Sequence, residues 1–156
     1  METFDFIEMR FPAKAEYVGV IRLSISGIAS RMGFSYDDIE DLKIAMSEAV
    51  SNVVAHAYND EGEVTIGFGV YEDRLEVMVA DRGGSFDLRK IKDDIGPYDK
   101  NVEKIENLRE GGFGLFLIKS LMDKVEFNNK YGVIVLMTKY LERTGVGLND
   151  QISNTQ

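Results

Sequence analysis

Glu48, Asn52 and His56 recur at four-residue steps within Asp41–Tyr58, DLKIAMSEAVSNVVAHAY. If this segment is helical, the three side chains share one strip of its surface. A carboxylate and a carboxamide one turn apart can act jointly on a bound ion or a water. Glu48 is a candidate general base, able to orient a hydroxyl or water for attack on a phosphoryl group. Asn52 is a candidate ligand for Mg2+, which keeps most of its waters and takes few protein ligands. His56 reads as a structural or rim residue. An isolated pair of this kind is equally what a solvated helix face carries, so the rest of the chain must decide.

Two glycine-rich turns supply what a phosphate site needs. Asp81-Arg82-Gly83-Gly84 follows an apolar alternation. An Asp at a strand end can accept a hydrogen bond from the exocyclic amine of a base, with Gly83 leaving room for the ring. The plainer reading is a strand-ending turn. Gly111-Gly112-Phe113-Gly114 opens an apolar segment. Glycines there free the backbone to approach a ligand, and a helix N-terminus offers unpaired N–H groups to an anion. Here the plainer reading is a flexible linker. Together the two turns and the Glu48–Asn52 strip point to a nucleotide.

These residues need elements to position them. Ile39, Leu42, Met46, Ala49 and Val53 form an apolar stripe at helical spacing beside the Glu48 strip. Ser35 to Asp38 resembles a capping box, with Asp38 in place of Glu or Gln. Before it, Phe6–Phe11 reads as a strand closed by Pro12, and Ala15–Met32 as a helix with Gly33 at C′. Val64, Ile66, Phe68 and Val70 alternate, as do Leu75, Val77 and Val79, with a reversal at Glu72-Asp73-Arg74. Gly114–Met122 reads as a short helix. Val125–Asn128 and Val133–Tyr140 read as a second hairpin around residues 129–132. Residues 85–110 keep no period and contain Gly96-Pro97, which suits an active-site lid or a disordered insert. The expected architecture is α+β, a two-layer α/β sandwich. Its mixed, mainly antiparallel sheet is covered on one face by three helices. Residues 1–143 form one domain, and the polar stretch 144–156 is expected to be a disordered tail.

Composition narrows the function further. The 156 residues suit one domain with a real core. Acidic residues outnumber basic ones 27 to 18, a net charge of −9. That argues against direct binding of a nucleic-acid backbone. There is no cysteine and a single histidine, which excludes a disulfide framework, a thiolate zinc site and a multi-histidine metal centre. No apolar run approaches a membrane span, and METFDFIEMRF lacks the order of a signal peptide. A cytoplasmic protein is expected.

The succession of E-x-x-x-N on a helix, D-x-G after a strand, a long irregular segment and G-G-x-G before a helix resembles the GHKL nucleotide-binding superfamily. The matching segments are SEAVSNVVAHAY (47–58), VADRGGSFD (79–87) and GGFGLFLIKSLMD (111–123). Within it the chain is similar to the small anti-sigma-B serine kinases of Gram-positive bacteria. That likeness rests on residues 12–50, on FGVYEDRLEVMVAD (68–81), IGPYDK (95–100), SLMDKVEF (120–127) and MTKYL (137–141). The resemblance implies a homodimer that sequesters an alternative, sigma-B-like sigma factor. It also implies phosphorylation of a serine on an anti-anti-sigma antagonist, with ATP and Mg2+ as cofactors.

Carried over residue by residue, the resemblance makes Glu48 the catalytic base and Asn52 the Mg2+ ligand. Asp81 would read the adenine amino group with Gly83 beside the base. Gly111, Gly112 and Gly114 would line the phosphates, residues near 95–110 would cover the ATP, and Arg22 would lie on the partner surface. The chain departs from relatives at three places. Ser85 holds the second glycine position of the first box. Glu110 precedes the second box where a sporulation branch has arginine. Val133 and Ile134 follow Gly132 where many members have threonine. Another GHKL ATPase, a histidine-kinase-like catalytic domain and a non-catalytic sigma-binding module are the alternatives. A histidine kinase would need a dimerising helix bearing its phosphoacceptor, and the single histidine lies on the site helix instead.

Overall fold

Two helices, α1 (Val18–Met32) and α2 (Tyr36–His56), meet at a turn that the local sequence specifies. The protein is seen in a computed structural model that describes residues 3–56, 62–81, 113–128 and 134–142. Gly33 adopts φ +95°, a left-handed conformation natural to glycine. Its N–H donates to the Ser30 carbonyl, and the Phe34 N–H donates to Ala29. This pair of bonds is the Schellman motif, sealed by buried Phe34 and Ala29. Two residues later Ser35 Oγ accepts the Asp38 N–H at 3.1 Å and caps α2. The reciprocal half of a capping box is not made among the described residues. The Asp38 carboxylate instead lies 3.8 Å from Lys139 Nζ.

The expected first helix is divided. Ala15–Tyr17 forms a single 3₁₀ turn before α1 begins at Val18. The Lys14 N–H bonds back to the Pro12 carbonyl at 2.8 Å, so the chain enters the helix through a tight turn.

Five strands make one sheet: β1 (Asp5–Pro12), β2 (Glu63–Val70), β3 (Arg74–Ala80), β4 (Lys124–Asn128) and β5 (Ile134–Tyr140). Their order is β1-β2-β3-β5-β4, and every described pair is antiparallel. The third helix, α3 (Phe113–Leu121), starts one residue earlier than its apolar pattern suggests. Arg74, expected in the β2–β3 reversal, begins β3 instead. It is buried, with its guanidinium 3.7 Å from the Tyr71 ring centroid and 2.7 Å from Asp73. These contacts fix Arg74 in extended backbone and shorten the turn.

The core lies between the helices and one face of the sheet. Ile21, Ile25 and Ala29 of α1, Leu42, Met46 and Val50 of α2, and Ile118 of α3 pack on Ile66, Phe68, Leu75, Val77, Val79 and Met137. The alternation in β2 and β3 and the three-four spacing in α2 both point into this layer. Among the described residues no helix is long and apolar enough to cross a membrane. Residues 82–112, which include the expected lid, and the tail from 143 onward lie outside the described residues.

Candidate functional site

The α2 stripe fixes where the candidate chemistry sits. Leu42, Met46, Ala49 and Val53 are buried, so Glu48 and Asn52 fall at the border of the core, each half-buried. Among the described residues neither side chain makes a hydrogen bond or ion pair, and both are open to a ligand. His56 closes α2, and its side chain lies outside the described set.

One buried cation shows which ends of the elements meet. Lys139 Nζ, near the end of β5, lies 2.6 Å from the Leu121 carbonyl at the end of α3 and 3.4 Å from Asp41 near the start of α2. Lys139 pairs with Leu75 at the start of β3. This end of the sheet therefore holds the beginning of α2 and the end of α3. α2 and α3 pack together and run in opposite directions. The other end of the sheet gathers what remains: the C-terminal half of α2 with Asn52, the end of β3 with Asp81, and the first turn of α3 with Gly114. Ala80, just before Asp81, pairs with both Thr65 and Ile134, which confirms that the end of β3 faces the starts of β2 and β5. Asn52, Asp81 and Gly114 are distant in sequence and lie toward this end of the fold, with Glu48 one turn before Asn52 on α2.

Gly114 is buried within α3, whose unpaired N–H groups open toward this end. Asp81 is half-buried and engaged in an interaction within the chain. Gly83, Gly111 and Gly112 lie outside the described residues. No cluster of three or more His, Cys, Asp or Glu side chains that could hold a metal occurs among the described residues. A Mg2+ carried on phosphates needs few protein atoms, and the uncommitted Asn52 amide oxygen can supply one.

On its other side Glu48 lines a groove of about 340 Å3 between α1 and α2, together with Arg22, Glu40, Lys43, Ile44 and Ser47. Arg22 Nε donates to Ser47 Oγ at 2.9 Å, and Lys43 is paired with Glu40 at 2.9 Å. Arg22 and Glu48 thus share one concavity, which their separation in sequence does not reveal. Ser47 was not singled out by sequence. The signal that could have found it is its place beside Glu48, one helical position toward α1.

The chain matches the histidine kinase-like ATPase domain family over residues 11–139. It is 61% identical to the serine-protein kinase RsbW of Oceanobacillus iheyensis, covering 100% of both chains. It is 58% identical to the serine-protein kinase RsbW of Bacillus cereus, covering 94% of this chain and 91% of the relative. The corresponding protein of Bacillus velezensis is 56% identical, with 96% of this chain and 94% of the relative covered. Among solved structures, the RsbU and RsbW domains of a Mycobacterium tuberculosis protein superpose with a TM-score of 0.61 at 18% identity. That likeness spans 88% of this chain and 32% of the longer one, and it speaks for the fold alone.

Proposed function

We propose, from the premise that this chain belongs to the histidine kinase-like ATPase family and within it to the RsbW-type serine-protein kinases, that it controls a sigma-B-like sigma factor through a phosphorylatable antagonist. It is an anti-sigma factor and an ATP-dependent protein serine kinase. In this reading a homodimer in the cytoplasm sequesters the sigma factor. The dimer also binds an anti-anti-sigma protein and phosphorylates one of its serines. The phosphorylated antagonist dissociates, and the sigma factor is held again.

The position of Glu48 carries this reading. It stands where the α1–α2 groove meets the end of the fold that holds Asn52, Asp81 and the start of α3. A protein kinase needs such a junction, because its base must reach a hydroxyl from one side and the transferred phosphoryl from the other. In the proposed step Glu48 accepts the proton of the substrate serine as its oxygen bonds to the γ-phosphorus. The bond to the β–γ bridging oxygen breaks, and the products are phosphoserine and ADP. When bound, ATP would supply the phosphoryl group and Mg2+ would offset its negative charge. Asn52 would give the metal one oxygen, Asp81 would accept from the adenine amine with Gly83 beside the base, and Gly111, Gly112 and Gly114 with the unpaired N–H groups at the start of α3 would receive the phosphates. The groove suits a protein as its occupant. Ile44 within it and Val20 and Leu23 on α1 are exposed apolar side chains, Leu23 at 73%.

The test is incubation with labelled ATP, Mg2+ and the small anti-anti-sigma proteins of the same cell. Phosphoserine on one of them is expected. ATP turnover with no protein labelled would leave an ATPase of this fold and overturn the kinase cycle.

A further inference from the structure

Ser47 precedes Glu48 on α2 and lies in the wall of the same groove. Its hydroxyl donates to the Lys43 carbonyl one turn back, at 2.7 Å. A serine hydroxyl has one hydrogen and two lone pairs. With the hydrogen committed to Lys43, Oγ can face the groove only as an acceptor. Arg22, reaching across from α1, is the donor to that acceptor, with its Nε–H at 2.9 Å.

The state of Arg22 makes this contact informative. In a chain with 27 acidic and 18 basic residues, Arg22 forms no ion pair among the described residues. Lys43, the other cation of the groove, is held by Glu40. Exposed and lining the groove, Arg22 keeps its two terminal amino groups available as the end-on fork that grips an oxygen acceptor. Among the described residues only Nε is tied down. An exposed arginine without that tie samples many rotamers and loses them on binding.

We propose that Ser47 is a positioning residue: it fixes the Arg22 guanidinium over the groove so that the substrate protein meets a preset fork beside Glu48. The inference rests on the reading of the groove as the place where that protein docks. Ser47 touches neither nucleotide nor the reacting oxygen. Its effect falls on the binding of the protein substrate and not on the transfer step.

The experiment is steady-state phosphorylation of the anti-anti-sigma protein by the full chain, comparing the parent with Ser47→Ala, Ser47→Thr, Arg22→Ala and the Ser47→Ala/Arg22→Ala double variant. Ser47→Ala should raise KM for the protein roughly three- to tenfold, the worth of one ordinary hydrogen bond. Its kcat and the KM for ATP should stay within about twofold of the parent, the pattern of lost uniform binding. Threonine makes the same bond to the carbonyl one turn back, so Ser47→Thr should restore KM. In the Arg22→Ala background Ser47→Ala should add nothing, because the two residues act as one unit. An unchanged KM in Ser47→Ala, a loss confined to kcat, or an undiminished effect without Arg22 would each overturn the proposal. A parent that labels no protein would remove the docking reading and this inference with it, an outcome distinct from an active parent indifferent to Ser47.

Discussion

The ammonium of Lys139 lies 2.6 Å from the carbonyl oxygen of Leu121, and through this contact β5 holds the end of α3. Asp41 and Asp38 stand at 3.4 and 3.8 Å from the same nitrogen, so the start of α2 is held as well. A cation at a helix C-terminus also meets the negative end of the helix dipole. Lys139→Met keeps the length of the side chain and removes the charge and the donors. The expected cost is about 1–3 kcal/mol, since the Leu121 carbonyl loses a charged donor and hydrogen bonds to charged groups are the stronger ones. Urea unfolding measures it, and a midpoint equal to that of the parent would mean that the contact contributes nothing.

Glu48→Gln should separate catalysis from capture. A carboxamide keeps the shape but cannot take the serine proton at neutral pH. Losing a general base costs on the order of 10²–10⁴ in rate. Nucleotide binding should survive, because it draws on the start of α3 and not on Glu48. Sigma-factor binding should survive too, since it uses the surface. A phosphorylation assay paired with a sigma-factor pull-down checks this. Undiminished phosphorylation would remove Glu48 as the base, and joint loss of all three activities would make it structural.

Asn52→Ala should weaken binding of Mg-ATP more than binding of ATP in the presence of a chelator. The substitution deletes the one protein oxygen proposed for the metal, and no in-chain hydrogen bond is lost with it among the described residues. Calorimetric titration with and without Mg2+ gives the comparison. Equal losses in the two titrations would place Asn52 away from the metal.

Asp81→Asn should relax the preference for adenine. Losing an acceptor matched to a buried donor costs about 1–3 kcal/mol. The ratio of ATP to GTP affinity is the readout. A variant as selective as the parent would show that the base is read elsewhere.

Gly33→Ala should destabilise the fold without touching the site. At φ +95° an L side chain is strained, by about 1–2 kcal/mol, although a Cβ there would meet no atom within 4 Å. Thermal melting with ATP affinity measured alongside distinguishes the two effects. A loss of ATP affinity at full stability would contradict a purely conformational role.

Local chemistry was legible wherever a short-range rule governs it. Ser35 caps α2 and Gly33 closes α1 because each needs only its own neighbours. The α2 stripe showed its face because the period of a helix is written in the residues themselves. Arg74 was misplaced because the contact that extends it, with the Tyr71 ring, depends on how the turn folds back. Lys139 could not be read as a brace between α2 and α3, since nothing local to MTKYL records Leu121 or Asp41. The order of the strands was equally hidden. For the candidate site, residue types and spacing named Glu48, Asn52 and Asp81. Their arrival at one end of the sheet, and the pairing of Arg22 with Ser47, follow from tertiary packing alone.

The pairing of β1 with β2 carries a consequence for how the protein is made. Asp5 pairs with Val70, and Pro12 with Glu63, so β1 has no partner until both long helices and β2 have been synthesised. The β2–β3 hairpin closes over a few residues and can form at once, whereas β1 must wait for a large loop to close. Throughout that wait the nascent chain carries Phe6, Ile7, Met9 and Phe11 on an unpaired backbone. Such a segment invites pairing with another nascent chain. The register of β1 therefore leads us to expect that the yield of active protein in cells depends on synthesis rate and on chaperones that shelter this strand, before any nucleotide or partner is met.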